Sequence, residues 1–258
     1  MIIYFSGNGN SKSIAVTLSQ QLSTQALSLE HRLLTNPGHN TIRPTDDKPI
    51  VWVFPVYSWG IPPVVVRFIK ECDIENAHKV NHHLVVSCGD DTGTIATQWR
   101  RLLRKRGWRT ASATSVIMPN TYVLMKGFDT DPLSIANLKL NQAKAQIQTA
   151  YRRIVENKND DHMETGKFAW IKSHIIYPWF IKYAMSARPF HTTGQCQSCG
   201  LCARQCPMDN ITMNIDNKPQ WHNNCAQCLR CYHRCPAHAI AYGKATEGKH
   251  QYPGPDKQ

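Results

Sequence analysis

Short apolar runs alternate with longer stretches of helical periodicity over the first 158 residues. The apolar runs predict five strands, at Ile2–Phe5, Ala26–Leu29, Ile50–Phe54, His83–Ser87 and Ala113–Met118. The stretches between and after them predict four helices, near Ser11–Gln21, Pro63–Glu71, Thr94–Arg106 and Pro132–Glu156. Strands that alternate with helices indicate a parallel sheet with helices on both faces. We therefore expect an α/β domain over residues 1–158.

The pattern changes after residue 158. Residues 159–187 predict a linker that contains an aromatic and basic segment, KFAWIKSHIIYPWFIKYAM at 167–185. We expect this segment to form a helix, or a kinked helix, that packs on the first domain, because Pro178 interrupts the period and the polar face is thin. The alternative is a helix that lies in the plane of a membrane surface, which we favour less. The tail, residues 246–258, is polar and rich in Gly, Pro and Lys, and it is predicted to be disordered.

Eight of the ten cysteines form an internal repeat with an offset of 29 residues. The pattern Cys-x-x-Cys-x-x-Cys-x-x-x-Cys-Pro occurs twice, as CQSCGLCARQCP and CAQCLRCYHRCP. Runs of this type hold [4Fe-4S] clusters, and the fourth cysteine of each run ligates the other cluster. The predicted first ligand set is Cys196, Cys199, Cys202 and Cys235, and the second is Cys225, Cys228, Cys231 and Cys206. The alternative, structural zinc, commonly uses two separated pairs of ligands and fits this spacing poorly.

Residues 188–245 resemble bacterial two-cluster [4Fe-4S] ferredoxins, with both motifs complete. The resemblance implies a small α+β domain that transfers electrons and has no substrate pocket. The second motif places Arg230, His233 and Arg234 among its ligands, whereas the first has Arg204 in the equivalent stretch. Nearby cations favour the reduced, more negative cluster, so the second cluster is predicted to be the easier one to reduce.

A turn of small residues, Ser6-Gly7-Asn8-Gly9-Asn10-Ser11, directly follows the first predicted strand and opens a helix. Such a turn can fold around an anion, and the helix N-terminus points free N–H groups at a phosphate. The turn lacks the Gly-Lys-Ser/Thr of a Walker loop and the third Gly of a dinucleotide motif. A monophosphate ligand therefore fits best.

Two further loops follow the third and fourth predicted strands, at the sheet edge where open α/β sheets bind ligands. Their aromatic residues, Tyr57 and Trp59, are suited to stack on a flat ring. Together the three loops predict a bound flavin. The predicted cofactor contacts are Ser6, Gly7, Asn8, Gly9, Asn10, Ser11, Pro55, Val56, Tyr57, Trp59, Gly60, Ser87, Gly89 and Asp90.

Residues 1–158 resemble a flavodoxin, and the whole chain resembles the flavodoxin–ferredoxin fusions of anaerobic bacteria. The resemblance implies a flavodoxin-like doubly wound parallel sheet of order 2-1-3-4-5. It also implies FMN, with its phosphate in Ser6–Ser11 and its ring between the other two loops. One departure is Asn8, because flavodoxins usually have Thr there.

Charge and hydropathy limit the compartment and the partners. The formal net charge is +12, and no apolar stretch is long enough to span a membrane. A strand that starts at Ile2 leaves no room for a signal peptide, so we expect a cytoplasmic protein with reduced thiols. The basic charge predicts an acidic redox partner protein. Nucleic acid is not an expected partner, and peripheral membrane contact is not favoured.

These features predict an electron-transfer protein that passes electrons between a bound FMN and two [4Fe-4S] clusters and on to a partner. One alternative is a flavin-dependent reductase fed by its own ferredoxin domain, and another is an iron–sulfur redox sensor. An open pocket over the flavin ring would distinguish the reductase from the carrier. The sequence predicts no catalytic residue, because it contains no convincing Ser/His/Asp arrangement or carboxylate pair.

Overall fold

The structure is a computed structural model, and it describes residues 1–39, 41–44 and 48–255. Its strands are β1 (Ile2–Tyr4), β2 (Ala26–Ser28), β3 (Thr41–Ile42), β4 (Ile50–Pro55), β5 (Asp73–Ile74), β6 (Asn81–Cys88), β7 (Arg109–Ile117), β8 (Phe190–Thr192), β9 (Ile211–Met213), β10 (Pro219–Trp221) and β11 (Ile240–Tyr242). Its α-helices are α1 (Asn10–Gln21), α2 (Arg32–Thr35), α3 (Pro63–Glu71), α4 (Ile95–Lys105), α5 (Leu133–Val155), α6 (Ala169–Ile171), α7 (Tyr177–Trp179), α8 (Leu201–Arg204) and α9 (Arg230–His233). Two π-helical turns, Lys172–Ile176 and Phe180–Ala184, complete the helical elements of these ranges.

The central sheet has the order β2-β1-β4-β6-β7, and each of its strand pairs is parallel. Numbered among themselves, these strands give the order 2-1-3-4-5, as predicted. Each predicted strand is present. β6 begins two residues earlier than expected, at Asn81, because it pairs with β7 from Arg109 onward.

Side chains of the central strands alternate between two apolar cores, as the strand period of two requires. Trp52 and Phe54 of β4 face a core that α3 and α4 complete. Val51 and Val53 face a second core, which α1 and α5 complete. With both faces covered, the carboxyl ends of the strands remain the accessible edge, and the loops that follow β1, β4, β6 and β7 meet there.

The cysteine region repeats its elements as well as its sequence. α8, β8 and β9 recur 29 residues later as α9, β10 and β11. β8 pairs antiparallel with β11, and β9 pairs antiparallel with β10. Both strand pairs therefore join the two halves, so neither half is self-contained. That this region is a two-cluster ferredoxin domain remains a prediction, as do the domain boundaries at 158, 188 and 245.

A continuous helical run covers residues 169–184, from α6 through both π turns and α7, and we call it the aromatic helix. Ser173 Oγ accepts a hydrogen bond from the Thr94 amide and donates one to the Trp59 carbonyl, both at 2.8 Å. Tyr177 donates a 2.6 Å hydrogen bond to the Ile61 carbonyl. The inner face of this helix thus packs on the N-terminal part, as the packing alternative predicts. No helix of the described residues is long and apolar enough to cross a membrane.

The tail differs from the prediction of disorder over residues 246–255. Tyr252 is buried, its amide donates to His233 Nδ1 at 3.0 Å, and its hydroxyl donates to Asn10 Oδ1 at 2.7 Å. Composition indicated disorder because a single anchoring aromatic residue hardly changes the mean polarity of a short segment. Residues 256–258 lie outside the described residues.

Candidate functional site

The loop between β1 and α1 offers an anion site. Gly9 has a φ of 105°, a left-handed conformation that favours glycine, and its amide donates to Ser6 Oγ at 3.2 Å. α1 starts at Asn10 and has no acidic residue in its first turn. Asn8 is buried, and its Oδ1 atom has no hydrogen-bond partner among the described residues. A buried polar group without a partner in such a loop fits a phosphate, towards which the amide of Asn8 would donate once flipped.

A cavity of about 120 Å³ lies beside this loop. Ser11 Oγ and Ser87 Oγ are 2.7 Å apart and join the first and third predicted loops at its wall. The lining residues are Ser6, Gly7, Asn8, Asn10, Ser11, Pro55, Val56, Tyr57, Ser87, Cys88, Gly89, Met118, Pro119, Asn120, Thr121, Tyr122 and Cys228. The segment 118–122 was not among the predicted contacts. The sequence offered a basis for predicting this segment, because it directly follows the fifth strand and so lies at the same edge of the sheet.

A second cavity, of about 360 Å³, continues from the first, and we call it the ring-end cavity. Of the predicted contacts it is lined by Pro55, Val56, Tyr57, Trp59, Gly89 and Asp90. Its other walls, which the sequence did not predict, come from Met125 and Phe128, from the aromatic helix, and from residues 227–229 of the cysteine region. Predominantly apolar walls with a few polar groups are typical of cofactor and ligand sites.

Two predicted contacts, Gly9 and Gly60, are not among the residues that line either cavity of the described chain. A Cβ on Gly9 would lie 2.9 Å from Cδ of Pro255, so the tail covers this position. A Cβ on Gly60 would overlap the ring of Tyr177. Both glycines therefore permit close packing by other segments in the described chain.

The Trp59 loop is held in a tight turn. Ser58 and Trp59 both have left-handed φ angles, of 45° and 65°, and Tyr57 and Gly60 exchange two backbone hydrogen bonds of 2.9 Å. Such strain in non-glycine residues is characteristic of functional loops. Lys172 of the aromatic helix lies 5.1 Å from the Trp59 ring centre and forms a 2.6 Å ion pair with Asp91. The aromatic helix thus holds two loops in place, the one that carries Trp59 and the one that carries Asp91; we call them the ring loops.

The eight cysteines of the repeat surround two separate cavities. One is lined by Cys196, Cys199, Cys202 and Cys235, and the other by Cys206, Cys225, Cys228 and Cys231. These groups are the two crossed sets predicted from the sequence. All eight are free thiols. The structure therefore brings each set together, and metal binding by either set remains a prediction.

The backbone around each set presents amide groups to sulfur. The amides of Asn210 and Ala239, which are equivalent in the repeat, donate to Cys206 Sγ and Cys235 Sγ at 3.3 Å. Left-handed φ angles also recur at equivalent positions, at Gly200 and Leu229 and again at Ser198 and Gln227. Alternating right- and left-handed residues form the amide nests found at many iron–sulfur sites.

The donor chemistry of each set, four cysteine thiols, is the chemistry that an iron–sulfur cube would use. Among the described residues no group of three or more His, Cys, Asp or Glu side chains could hold one metal ion. Zinc needs four ligands about 2.3 Å from one point, whereas a cube carries its ligands at separate corners. Burial, reinforced by Cys228, raises the pKa of the Cys225 thiol to about 12. Thiolates in so buried a cavity require a positively charged partner such as iron.

The second cysteine set adjoins both cavities of the N-terminal part. Cys228 lines its own cavity and both cavities of the N-terminal part. A Cβ on Gly7 would overlap the Cys228 carbonyl oxygen, so the two backbones are in contact. No sequence pattern indicated this contact, because it joins positions 221 residues apart in the chain.

Arg230 joins the two regions at the same point. Its guanidinium donates to the carbonyls of Ser6 at 2.7 Å, Gly7 at 3.0 Å and Gln205 at 3.1 Å. It also forms a 2.8 Å ion pair with Glu30. Burial opposes ionisation of Glu30, but Arg230 outweighs it and holds the pKa of that carboxyl below its ordinary value. One side chain therefore fixes the anion loop to the second cysteine motif.

A family model described as Flavodoxin domain matches residues 1–125. Among solved structures, the Trp repressor binding protein from Bacillus subtilis is 12% identical, with 60% of this chain and 97% of that chain covered and a TM-score of 0.37. A likeness of that size supports no conclusion on fold or function. No curated protein sequence matches the chain. The N-terminus is thus a flavodoxin-like domain, which suggests FMN and a flavin-binding redox role.

Proposed function

We propose that the chain is an electron-transfer protein that binds one FMN in its flavodoxin-like domain and two [4Fe-4S] clusters in its cysteine region. The observation that carries the proposal is the position of Cys228, which lines both the ring-end cavity and the second cysteine cavity. FMN exchanges electrons singly or as a pair, and each cluster exchanges one.

The residues of each cavity would have distinct tasks. The loop Ser6–Ser11 and the N-terminus of α1 would hold the phosphate, with the Asn8 amide as an additional donor. The ring would lie between the Tyr57–Trp59 loop and the Gly89–Asp90 loop. The aromatic helix contacts both loops through Ser173 and Lys172 and would hold them in position around the ring.

The first cysteine motif is the proposed contact for a partner protein. Cys199 is exposed. Two cations lie at this motif, since Arg204 donates to the Cys199 carbonyl at 2.8 Å and Lys218 donates to the Cys196 carbonyl at 3.0 Å. A basic rim steers an acidic partner and sets its rate of association. We expect Lys218→Glu to slow electron transfer to an acidic carrier protein, and the difference from the parent chain to shrink at high salt.

Anaerobic purification followed by cofactor analysis tests the proposal directly. We expect about eight iron and about eight acid-labile sulfide per chain, together with about one FMN released by heat. Zinc without sulfide would contradict the cluster assignment. A nucleotide in place of FMN would contradict the assignment of the anion loop.

A matched pair of variants tests the anion loop. Asn8→Asp places a carboxylate in the buried loop, where it would repel the phosphate and lower the affinity for FMN by tenfold or more, the equivalent of about 1.4 kcal/mol. Asn141→Asp, on the exposed surface of α5, makes the same chemical change and should leave the affinity unchanged. Titration of the flavin-free chain with FMN measures both, and equal affinities would exclude a phosphate at Asn8.

A second candidate function is a flavin-dependent reductase, which the extent of the ring-end cavity favours. The cavity continues past the ring loops to Met125, Phe128 and Trp179, which provides an apolar surface beyond the loops. Saturable binding of flat aromatic carbonyl compounds to the FMN-loaded chain, weakened by Trp179→Ala, would support this function. If neither the parent chain nor the Trp179→Ala variant binds such compounds, the reductase is contradicted and electron transfer stays as the proposed function.

A further inference from the structure

The aromatic helix presents a stripe of large apolar side chains to solvent. The outer stripe consists of Phe168, Trp170, Ile171, Ile175, Trp179 and Tyr183. Their exposed fractions lie between 45% and 74%. Ile171, Ile175, Trp179 and Tyr183 recur every four residues along one side of the run, whereas Trp170 lies about a quarter-turn from Ile171 and Phe168 precedes the first helical residue. Contiguous apolar surface of this kind on a folded chain marks an interaction site.

The opposite face of the helix already packs on the N-terminal part of the chain. Ser173 and Tyr177 hydrogen-bond to the ring loops and their surroundings. Phe180 is 7% exposed and packs edge-on against Tyr122, with ring centres 5.8 Å apart. The helix therefore cannot turn its outer stripe inward without breaking these contacts. The stripe is displayed by a fixed element.

The charged side chains of the aromatic helix and of the residues next to it in sequence have one sign. Residues 167–188 contain four Lys or Arg residues and no Asp or Glu. Lys172 is paired with Asp91 on the inner side, whereas Lys167, Lys182 and Arg188 are exposed. Tryptophan and tyrosine are enriched where apolar and aqueous phases meet, and basic residues beside them bind anionic lipid.

We propose that the aromatic helix lies in the plane of an anionic membrane surface, with the outer stripe inserted among the lipids. Basic residues around an apolar, Trp-containing face characterise helices that bind at this interface. The ring-end cavity adjoins the same face, because Trp179 and Ile176 line it and are 51% and 39% exposed. Phe128, across the cavity mouth, is also 51% exposed. Membrane contact would therefore place that mouth at the lipid surface.

A second copy of the chain is a less suitable occupant. In a two-fold dimer the stripe would meet itself, and Lys167, Lys182 and Arg188 of the two copies would lie within one acid-free interface. Like charges confined to such an interface repel each other. An anionic lipid surface instead complements both the apolar stripe and its cations.

Vesicle co-sedimentation of the full-length protein, as purified with its cofactors, tests the proposal. We expect binding to vesicles of phosphatidylcholine with phosphatidylglycerol, weaker binding to phosphatidylcholine alone, and partial release by salt. The double variant Ile171→Asp with Ile175→Asp should lower the lipid partition coefficient by about tenfold or more. The control is Ile215→Asp, since Ile215 is 96% exposed in the cysteine region and should not affect binding.

Two further measurements on the double variant distinguish a loss of lipid binding from a loss of the fold. The melting temperature and the cofactor content of the double variant should match those of the parent chain, because neither Ile171 nor Ile175 is among the described residues that line the anion-loop cavity or the ring-end cavity. Equal lipid binding by the parent chain and the double variant would overturn the proposal. So would a concentration-dependent dimer, seen by analytical ultracentrifugation without lipid and lost in the double variant.

Discussion

The two cysteine motifs share their spacing and backbone conformation but have opposite surroundings. In the first motif Cys199 is exposed, and in the second the equivalent Cys228 lies against Gly7 of the anion loop. Arg204 of the first motif is a surface cation, whereas its equivalent, His233, is buried between Thr121 and the tail. The cysteine spacing therefore specifies what each motif can ligate, and the residues between the cysteines specify what each motif faces.

This difference changes the electrostatic expectation for the two clusters. Arg230 is paired with Glu30, and burial lowers the pKa of His233 to about 4, so His233 is neutral at physiological pH. The first motif has two cations at its carbonyls, Arg204 and Lys218. In the charge argument for easier reduction of the second cluster, His233 therefore drops out and Glu30 offsets Arg230, whereas the contribution of Arg234 remains.

Removing one equivalent ligand from each motif should give the largest effect. We expect Cys199→Ser and Cys228→Ser each to lose iron, because each removes a ligand of one predicted cluster. Only Cys228→Ser should also weaken FMN binding, on the order of tenfold, because Cys228 lines the FMN cavities and touches Gly7. Iron and FMN per chain measure both effects. Equal FMN loss in the two variants would remove the distinction between the motifs.

Acid should act on the second motif through His233. Its pKa is lowered to about 4 because burial opposes the charged form. The unfolded state takes up a proton near pH 6.5 and the folded state does not, so stability is complete above that pH and falls between about 6.5 and 4. This group should account for roughly 3 kcal/mol of the loss.

The variants His233→Asn and Arg204→Gln provide the comparison. Urea unfolding from pH 7 to pH 4 should show a shallower decline for His233→Asn. Arg204→Gln should retain the slope of the parent chain, because arginine stays charged throughout this range. Identical slopes in all three proteins would assign the acid sensitivity elsewhere, to groups such as His82, whose pKa burial also lowers to about 4.

Arg230→Gln should destabilise the holoprotein by roughly 2 kcal/mol, less than a fully buried pair because Glu30 remains partly exposed. The variant loses the bonds to the anion loop and leaves the Glu30 carboxylate without its main partner. Adding Glu30→Gln should recover part of the loss, since no unpaired charge remains. Thermal unfolding of the single and double variants measures the coupling. Additive losses would mean that the ion pair contributes nothing.

Gly200→Ala should have the smallest effect, about 1 kcal/mol or less. Gly200 has a φ of 69°, but its equivalent Leu229 tolerates a φ of 60° with a full side chain. An added Cβ would lie 2.9 Å from Arg204 Nη1, the end of a flexible side chain. Gly7→Ala, where the Cβ would meet the Cys228 backbone, should cost more. A smaller loss of unfolding free energy for Gly200→Ala than for Gly7→Ala would indicate that the first motif adapts to an added side-chain atom and that the backbone contact of the second motif does not.

The sequence predicted what depends on local patterns. Apolar runs located the strands of the sheet, and loops after those strands located ten of the seventeen residues that line the smaller cavity. The cysteine spacing predicted both sets, because ligand geometry is imposed within a few residues. Contacts made by Cys228, Arg230 and Tyr252 were missed. Each joins segments more than 190 residues apart, and no periodicity or motif encodes the choice of partner over that distance.

The crossed arrangement of the cysteine sets has a consequence for biosynthesis. Each set takes three ligands from one half and one from the other, so neither is complete when the first half leaves the ribosome. The last members to be translated are Cys231 and Cys235, four residues apart. Both sets therefore become complete almost together, once Cys235 has been translated. The flavodoxin-like domain, whose strands all precede residue 118, can fold before any metal centre is assembled.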